Sequence, residues 1–221
     1  MRTTIFKLVA ALGSAATAVP EPIYEFGAYR VPGQEARGDV RSCFPGRRFV
    51  GCDLSPGLGV DETQDLHRLT LAADTIGTAL LLDTVEHVRE PFRAMAELYR
   101  CLRPGGLLVM TSVMYFPIHL HPDDYWRFTA SGFASLVAPF DDSIVEMVGL
   151  RTLPHTVVAA AFKAPVNPAF RRTVAGVVAA WKRRGAQSWK EVMMALAPPV
   201  LLVPAYDLYV AWLQRGQAKR E

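Results

Sequence analysis

The chain has 221 residues, of which 51% are hydrophobic, and a net charge of +3. This composition suits a globular protein with one sizeable core, and the small, scattered charge argues against nucleic acid as a partner. Cys43, Cys52 and Cys101 are too few and too widely spaced for a disulfide framework or a zinc pattern. We therefore predict no metal site and a reducing, cytoplasmic location.

The N-terminal segment, residues 1–19, has the pattern of either a secretory signal or an amphipathic helix. Arg2 and Lys7 accompany an apolar stretch that ends in the small residues 15–18. We favour a helix retained in the mature protein, because Lys7 interrupts the stretch and the first predicted strand follows closely. Its apolar residues recur at helical spacing and are predicted to be buried. They are Ile5, Leu8, Val9 and Leu12.

Strand and helix patterns then alternate along the chain. Apolar runs predict strands at 22–28, 48–54, 78–82 and 107–113, and weaker ones near 143–149 and 156–163. Helices are predicted at about 35–43, 91–102 and 129–137. This alternation predicts an α/β fold: a Rossmann-like, doubly wound and mostly parallel sheet with flanking helices.

Only helical patterns follow residue 164, so we divide the chain into an N-terminal helix (1–19), an α/β domain (20–163) and a helical C-terminal extension (164–221). The stretch 192–213 is apolar but contains Pro198, Pro199 and Pro204, which disfavour a membrane-spanning helix. Its apolar residues are predicted either to pack on the same domain or to form a homodimer or membrane-surface contact.

Two residues at predicted strand ends indicate a nucleoside ligand. The first strand ends in Glu25-Phe26-Gly27 and the second in Asp53, an acid placed to accept hydrogen bonds from both ribose hydroxyls. The glycine turn lacks the Gly-x-Gly-x-x-Gly pattern that cradles a pyrophosphate. A nicotinamide dehydrogenase is therefore disfavoured, and a nucleoside cofactor without phosphates fits better.

Five segments together resemble the class I S-adenosylmethionine-dependent methyltransferases, especially the small methyltransferase-domain subgroup. They are IYEFG, FVGCDLSPG, VDETQDLHRL, LLLDTVEHVREPFRAMAELYRCLRPGGLLVMTS and HPDDYWRFT. The resemblance covers about residues 20–163 and implies S-adenosylmethionine as the cofactor. It also implies methyl transfer to a small-molecule or sugar-like acceptor.

The resemblance implies a cofactor role for several individual residues. These are Glu25 and Gly27 near the methionine part, Asp53 on the ribose, Leu54 packed on adenine, Asp65 and Leu66 as an adenine-contacting pair, and Asp83 facing the methionyl end. One departure stands out, because Ala28, Tyr29 and Arg30 replace the glycines that the family usually has after the first strand. This departure motivates an alternative, a catalytically inactive binding or scaffold module.

The polar, aromatic loop after the fifth-strand pattern supplies candidate catalytic groups. His119 or His121 is predicted to take the acceptor's proton, since histidine is the natural base near neutral pH. We predict that Asp124, Tyr125 and Arg127 bind the substrate. The alternative is a structural loop in which Arg127 pairs with an aspartate, and His87 is interpreted as structural.

Overall fold

The computed structural model describes residues 2–15, 19–30, 39–119, 123–150 and 153–185, and it contains one seven-stranded sheet. The strand order is β3-β2-β1-β4-β5-β7-β6, with all pairs parallel except those of β7 with β5 and β6. The predicted doubly wound sheet is confirmed. The strands are β1 Ile23–Phe26, β2 Phe49–Asp53, β3 Glu62–Thr63, β4 Ile76–Leu82, β5 Leu102–Val113, β6 Asp142–Leu150 and β7 Leu153–Phe162.

The central strands are buried on both faces, which explains why their sequences read as continuous apolar runs. Every residue of β1 and of β4 is buried. Helices cover both sides, as a parallel sheet requires. The helices are α1 Thr3–Ala15, α2 Pro91–Cys101, α3 Ala130–Leu136 and α4 Pro168–Gly185.

The two helices that flank the loop after β5 were predicted from their end signals. Pro91 occupies the first turn of α2, where its missing N–H costs nothing. The Thr129 hydroxyl accepts a 3.1 Å hydrogen bond from the Gly132 N–H and caps α3. Residues of α2 and α3 share one core cluster with the sheet, while α1 and α4 belong to the cluster on the other face.

Helix α1 is present and packed, with Ile5, Leu8, Val9 and Leu12 all buried. It lies against α4, where the Trp181 indole N–H donates a 2.7 Å hydrogen bond to the Thr4 carbonyl. Retention of this helix in the mature protein stays a prediction.

The helix predicted at 35–43 is present only as a short 3₁₀ turn at Val40–Cys43, and residues 35–38 lie outside the described part. The two-residue strand β3 is too short to produce a periodic signal, so it was not predicted. Residues 186–221 also lie outside the description, together with the predicted dimer or membrane-surface contact. Among the described helices, none is both long enough and apolar enough to cross a membrane.

Candidate active site

The carboxyl ends of β1, β2 and β4 meet at one edge of the sheet, and a glycine makes their approach feasible. Gly27 follows β1 with a φ of 88°, and a Cβ atom there would lie 2.4 Å from the Thr84 hydroxyl oxygen. Only glycine fits this position without displacing the turn after β4. The predicted glycine turn is therefore a point of close contact between two neighbouring loops.

Asp53 lies at the end of β2, on the same edge. Its Oδ1 accepts a 2.8 Å hydrogen bond from the Leu54 N–H, and its Oδ2 accepts a 3.1 Å bond from the Tyr29 N–H. These two bonds hold the carboxylate in place while each oxygen keeps a further acceptor position. The neighbouring Leu54 side chain is 54% exposed and free to cover an apolar ring.

The residues that replace the expected glycines are accommodated by glycines on the loop after β2. The Arg30 N–H donates a 2.9 Å hydrogen bond to the Leu58 carbonyl, so the two loops run side by side. A Cβ on Gly57 would lie 2.3 Å from the Tyr29 ring, and one on Gly59 would lie 2.6 Å from the Ala28 carbonyl oxygen. The glycines of the loop after β2 thus allow this loop to pack closely against residues 28–30.

Glu25 is a buried acid on β1 beneath this edge. Burial raises the pKa of its carboxyl to about 8, although the Arg30 guanidinium nearby favours the charged form. Glu25 is therefore mostly neutral below this pH and becomes charged only if a cation arrives or the pH rises.

The two residues predicted to contact adenine, Asp65 and Leu66, differ in exposure. The Asp65 side chain is exposed, and its Oδ1 accepts a 2.8 Å hydrogen bond from the His67 N–H. In contrast, the Leu66 side chain, in the turn closed by the bridge between Asp65 and Arg68, is 8% exposed and belongs to the hydrophobic core. The adenine contact predicted for Leu66 stays a prediction.

Asp83 follows β4 as predicted, but the N-terminal segment occupies its carboxylate. The Arg2 guanidinium donates hydrogen bonds of 2.9 Å to Oδ2 and 2.7 Å to Oδ1, and the Thr111 hydroxyl donates to Oδ1 at 2.9 Å. Burial opposes ionisation, but the charge and hydrogen bonds of Arg2 hold the pKa of this carboxyl below its usual value. Arg2 also donates to the Thr156 hydroxyl. Sequence reasoning missed Arg2, which lies 81 residues away in the chain.

On the other side of β4, the loop after β5 is docked on the 3₁₀ turn Val85–His87. The N–H groups of Tyr125 and Trp126 donate to the Glu86 carbonyl at 2.9 and 3.2 Å. The Trp126 indole N–H donates to the Val88 carbonyl at 2.9 Å. The Glu-His-Val segment and the Tyr-Trp-Arg block, which both lie in segments that carry the resemblance, thus form one unit.

His119 lies half-buried in this unit. Its Nδ1 is 3.2 Å from the Pro117 carbonyl oxygen and 3.2 Å from Oδ2 of Asp124, whose Oδ2 also accepts a 2.9 Å bond from the His119 N–H. Burial lowers the pKa of the imidazole below its usual value, although Asp124 opposes this shift. His119 is consequently neutral near pH 7, as a base must be. The second candidate, His121, lies outside the described residues.

The predicted substrate-binding residues are occupied mainly with each other. The Arg127 guanidinium makes a bidentate pair with Asp124, at 2.5 and 2.6 Å, and the Asp124 side chain is only 1% exposed. Burial opposes ionisation of Asp124, but Arg127 and the His119 N–H lower its pKa to about 2. Tyr125 is 44% exposed, and its hydroxyl donates to Asp123 at 2.8 Å. The geometry favours the alternative of a structural pair for Asp124 and Arg127.

Two neighbours of His119 were not predicted as functional residues. Glu86 is fully buried, and burial together with the Asp83 charge raises the pKa of its carboxyl to about 8. The His87 Nδ1 lies 2.5 Å from the Asp123 carbonyl oxygen, and its ring meets that of His119 edge-on with 4.8 Å between centroids. The Glu-His-Val segment was the only signal in the sequence for these residues, and it was used for the family resemblance alone.

Comparison with known proteins agrees with this architecture. Residues 36–110 match the family model of a methyltransferase domain. A curated relative, an uncharacterised 37.1 kDa protein in transposon TN4556 of Streptomyces fradiae, is 33% identical over 93 residues, which cover 36% of this chain and 27% of the relative. The chain thus spans about a quarter of the length of that relative.

Solved structures of methyltransferases share the fold. The 1,6-didemethyltoxoflavin-N1-methyltransferase of Burkholderia thailandensis has a TM-score of 0.55 and 19% identity over 72% of this chain and 78% of its own. An S-adenosylmethionine-dependent methyltransferase from Thermotoga maritima has a TM-score of 0.51 and is 19% identical, and the match covers 72% of this chain and 91% of that protein. Another such enzyme, from Aquifex aeolicus, has a TM-score of 0.51 and is 12% identical, and the match covers 73% of this chain and 92% of that protein.

Residues 36–110 match a methyltransferase domain, and the chain has the fold of S-adenosylmethionine-dependent methyltransferases, in agreement with the resemblance found in the sequence.

Proposed function

We propose that this chain binds S-adenosylmethionine and transfers its methyl group to a small molecule. The observation that carries the proposal is Asp53, a fixed and accessible carboxylate at the end of β2. A carboxylate there accepts hydrogen bonds from both ribose hydroxyls, and the exposed Leu54 beside it covers the adenine. Asp65, also exposed, lies farther along the same side of the sheet and contributes to the adenine subsite.

The methionine part of the cofactor then points toward β1 and β4. Glu25 is buried there with a raised pKa, and a cationic sulfonium or ammonium nearby favours its ionised form. Gly27 leaves room for the backbone to approach the ligand. Asp83 lies at the same edge, where Arg2 balances its charge. This arrangement holds the donor methyl between β4 and the loop after β5.

Methyl transfer requires few catalytic groups from the protein, because the sulfonium is already an activated donor. The acceptor attacks the methyl carbon in line, the carbon–sulfur bond breaks, and the electron pair returns to sulfur to give S-adenosylhomocysteine. The acceptor loses one proton in the process. We infer that proton removal depends on His119, which is neutral and held by Asp124 beside the turn after β4.

A small-molecule acceptor is supported by the Burkholderia thailandensis neighbour, which was solved with bound 1,6-didemethyltoxoflavin and S-adenosylhomocysteine. Tyr125 and Trp126, 44% and 42% exposed, belong to the same docked loop as His119. Their rings offer an apolar wall that shields the reacting groups from water.

The second candidate is a binding or scaffold module without catalysis. It is favoured by Ala28, Tyr29 and Arg30 in the positions of the family's glycines, and by the Arg2–Asp83 pair at the methionyl side. Cofactor affinity and turnover separate the two candidates, because a scaffold needs neither.

The test is calorimetric titration of S-adenosylmethionine into the full chain and two variants. Asp53→Ala removes a charge-assisted hydrogen-bonding group and is expected to cost roughly 1.5–3 kcal/mol, or about 10- to 100-fold in affinity. Glu146→Ala, which removes a carboxylate on the far edge strand β6, is the matched control and should bind like the wild type. Equal affinities for all three proteins would remove Asp53 from the site.

A further inference from the structure

Three metal-binding side chains lie together between the turn after β4 and the loop after β5. Glu86, His87 and His119 each offer one ligand atom, and these atoms all lie within 4.8 Å of one another. Glu86 and His87 are adjacent in sequence, but His119 follows 32 residues after His87. The fold brings them together, so their spacing in the sequence gave no metal signal.

One oxygen of the cluster's carboxylate has no partner among the residues that the structure describes. The Glu86 side chain is fully buried, and the Ser112 hydroxyl donates a 2.8 Å hydrogen bond to its Oε2. Its Oε1 is buried, and no described residue forms a hydrogen bond with it. A buried polar atom left unpaired costs free energy, and most such atoms in native proteins have a partner. A bound cation would be that partner.

The two imidazoles are oriented in the way that metal ligands usually are. The Nδ1 atoms of His87 and His119 face the carbonyl oxygens of Asp123 and Pro117, and since a carbonyl only accepts, each Nδ1 carries the proton. Each Nε2 then has a free lone pair. An ionised carboxylate, Asp124, lies 3.2 Å from the His119 Nδ1 and completes a carboxylate–histidine pair of the kind found behind metal sites.

We propose that Glu86, His87 and His119 bind a Zn²⁺ ion. Two imidazole nitrogens and one carboxylate oxygen form a donor set that suits zinc and leaves a fourth position open. With bonds of about 2.0–2.2 Å, a tetrahedral ion keeps its ligand atoms about 3.3–3.6 Å apart, so side-chain rotation has to bring the widest pair closer by at most about 1.5 Å.

The open position would face the proposed acceptor, and an acceptor bound there would lose its proton more easily. This role rests on the proposed function, whereas ion binding itself does not. His119 would then act by holding the ion.

The test uses the full chain, stripped with a chelator and titrated with Zn²⁺ by calorimetry in the absence of S-adenosylmethionine. We expect one ion per chain. Glu86→Gln and the double variant His87→Ala/His119→Ala should each weaken binding at least about tenfold, since even indirect changes at metal sites cost about 10- to 100-fold. His67→Ala removes an imidazole outside the cluster and should leave the affinity unchanged.

Absence of binding to the wild type, or equal binding by the double variant, would overturn the proposal. Thermal unfolding of the metal-free variants establishes that they fold. If the double variant does not fold, the result for Glu86→Gln decides alone.

The visible absorption of a Co²⁺ complex, lost on addition of Zn²⁺, gives an independent readout of tetrahedral nitrogen and oxygen ligation. A parallel titration of S-adenosylmethionine with chelator present shows separately whether the proposed cofactor site fails.

Discussion

The two sides of the edge formed by the strand ends are built in different ways. At the ends of β1 and β2, the Asp53 carboxylate stays accessible and is held by two backbone N–H groups, those of Leu54 and Tyr29. Beyond β4, Glu86 is fully buried and accepts a hydrogen bond from the Ser112 hydroxyl, and His87 contacts the Asp123 carbonyl oxygen in the loop after β5.

In the proposed function, this difference separates recognition of the cofactor from the chemical step. The β1–β2 side is open, with an exposed Leu54 and accessible carboxylate oxygens, and is suited to a ligand that enters and leaves. The β4–β5 side holds two acids, Glu86 and Asp124, and the half-buried imidazole of His119, and the pKa values of all three are shifted by burial and by their neighbours. Groups whose pKa values are shifted by burial and by specific partners concentrate at functional sites.

The largest expected effect is on the β4–β5 side. His119→Ala should lower the rate of methyl transfer about 10²- to 10⁴-fold, because the group that assists removal of the acceptor's proton is lost. The affinity for the cofactor should change little. Turnover is measured with labelled S-adenosylmethionine and an acceptor found by screening. Phe92→Ala, at an exposed position on α2, is the control. Normal turnover in folded His119→Ala would show that His119 has no part in catalysis.

The next effect concerns the contact that joins the N-terminal helix to β4. Arg2→Ala leaves the Asp83 carboxylate, whose side chain is 14% exposed, without its cation, and loss of one partner of such a pair costs about 3 kcal/mol. Urea unfolding measures the change. Lys7→Ala removes an exposed cation from the same helix and should change stability by less than about 0.5 kcal/mol. Equal effects of the two substitutions would mean that the Arg2–Asp83 pair contributes nothing to stability.

A third effect is a pH dependence that originates on the β1–β2 side. The pKa of Glu25 is about 8 in the folded protein and about 4.3 in an unfolded chain. Between these values the folded state binds one proton more than the unfolded state, so Glu25 makes stability fall as the pH rises from about 5 to 8. Its contribution to the slope is about 1.4 kcal/mol per pH unit.

Glu25→Gln keeps the shape of the side chain and removes its titration. The unfolding free energy of this variant should therefore decline less between pH 5 and 8 than that of the wild type. Parallel pH profiles for the two proteins would show that Glu25 titrates normally.

The fold was predictable because its signals are local. The continuous apolar run of β4, Pro91 at the start of α2 and the Thr129 cap of α3 each act within a few residues, and each was found in the sequence. Asp53 was predictable for the same reason, since a strand end and an acid are adjacent. The burial of the Leu66 side chain was not predicted, because a motif does not say which way a side chain points.

The β4–β5 side was predicted only in part. His119 and the Arg127–Asp124 pair come from one short loop and were considered from the sequence. Arg2 on Asp83 and Ser112 on Glu86 join residues that are 81 and 26 positions apart, and no local pattern records such contacts. The unpaired Oε1 of Glu86 is a property of packing and becomes visible only in three dimensions.

The most direct test of the account is a crystal structure of the chain with S-adenosylhomocysteine. We expect the ribose hydroxyls within about 2.6–3.2 Å of the Asp53 carboxylate oxygens, and the sulfur directed toward the side that carries Glu86, His87 and His119. A nucleoside bound out of reach of Asp53, or a sulfur directed away from His119, would contradict the division of the edge into a recognition side and a chemical side.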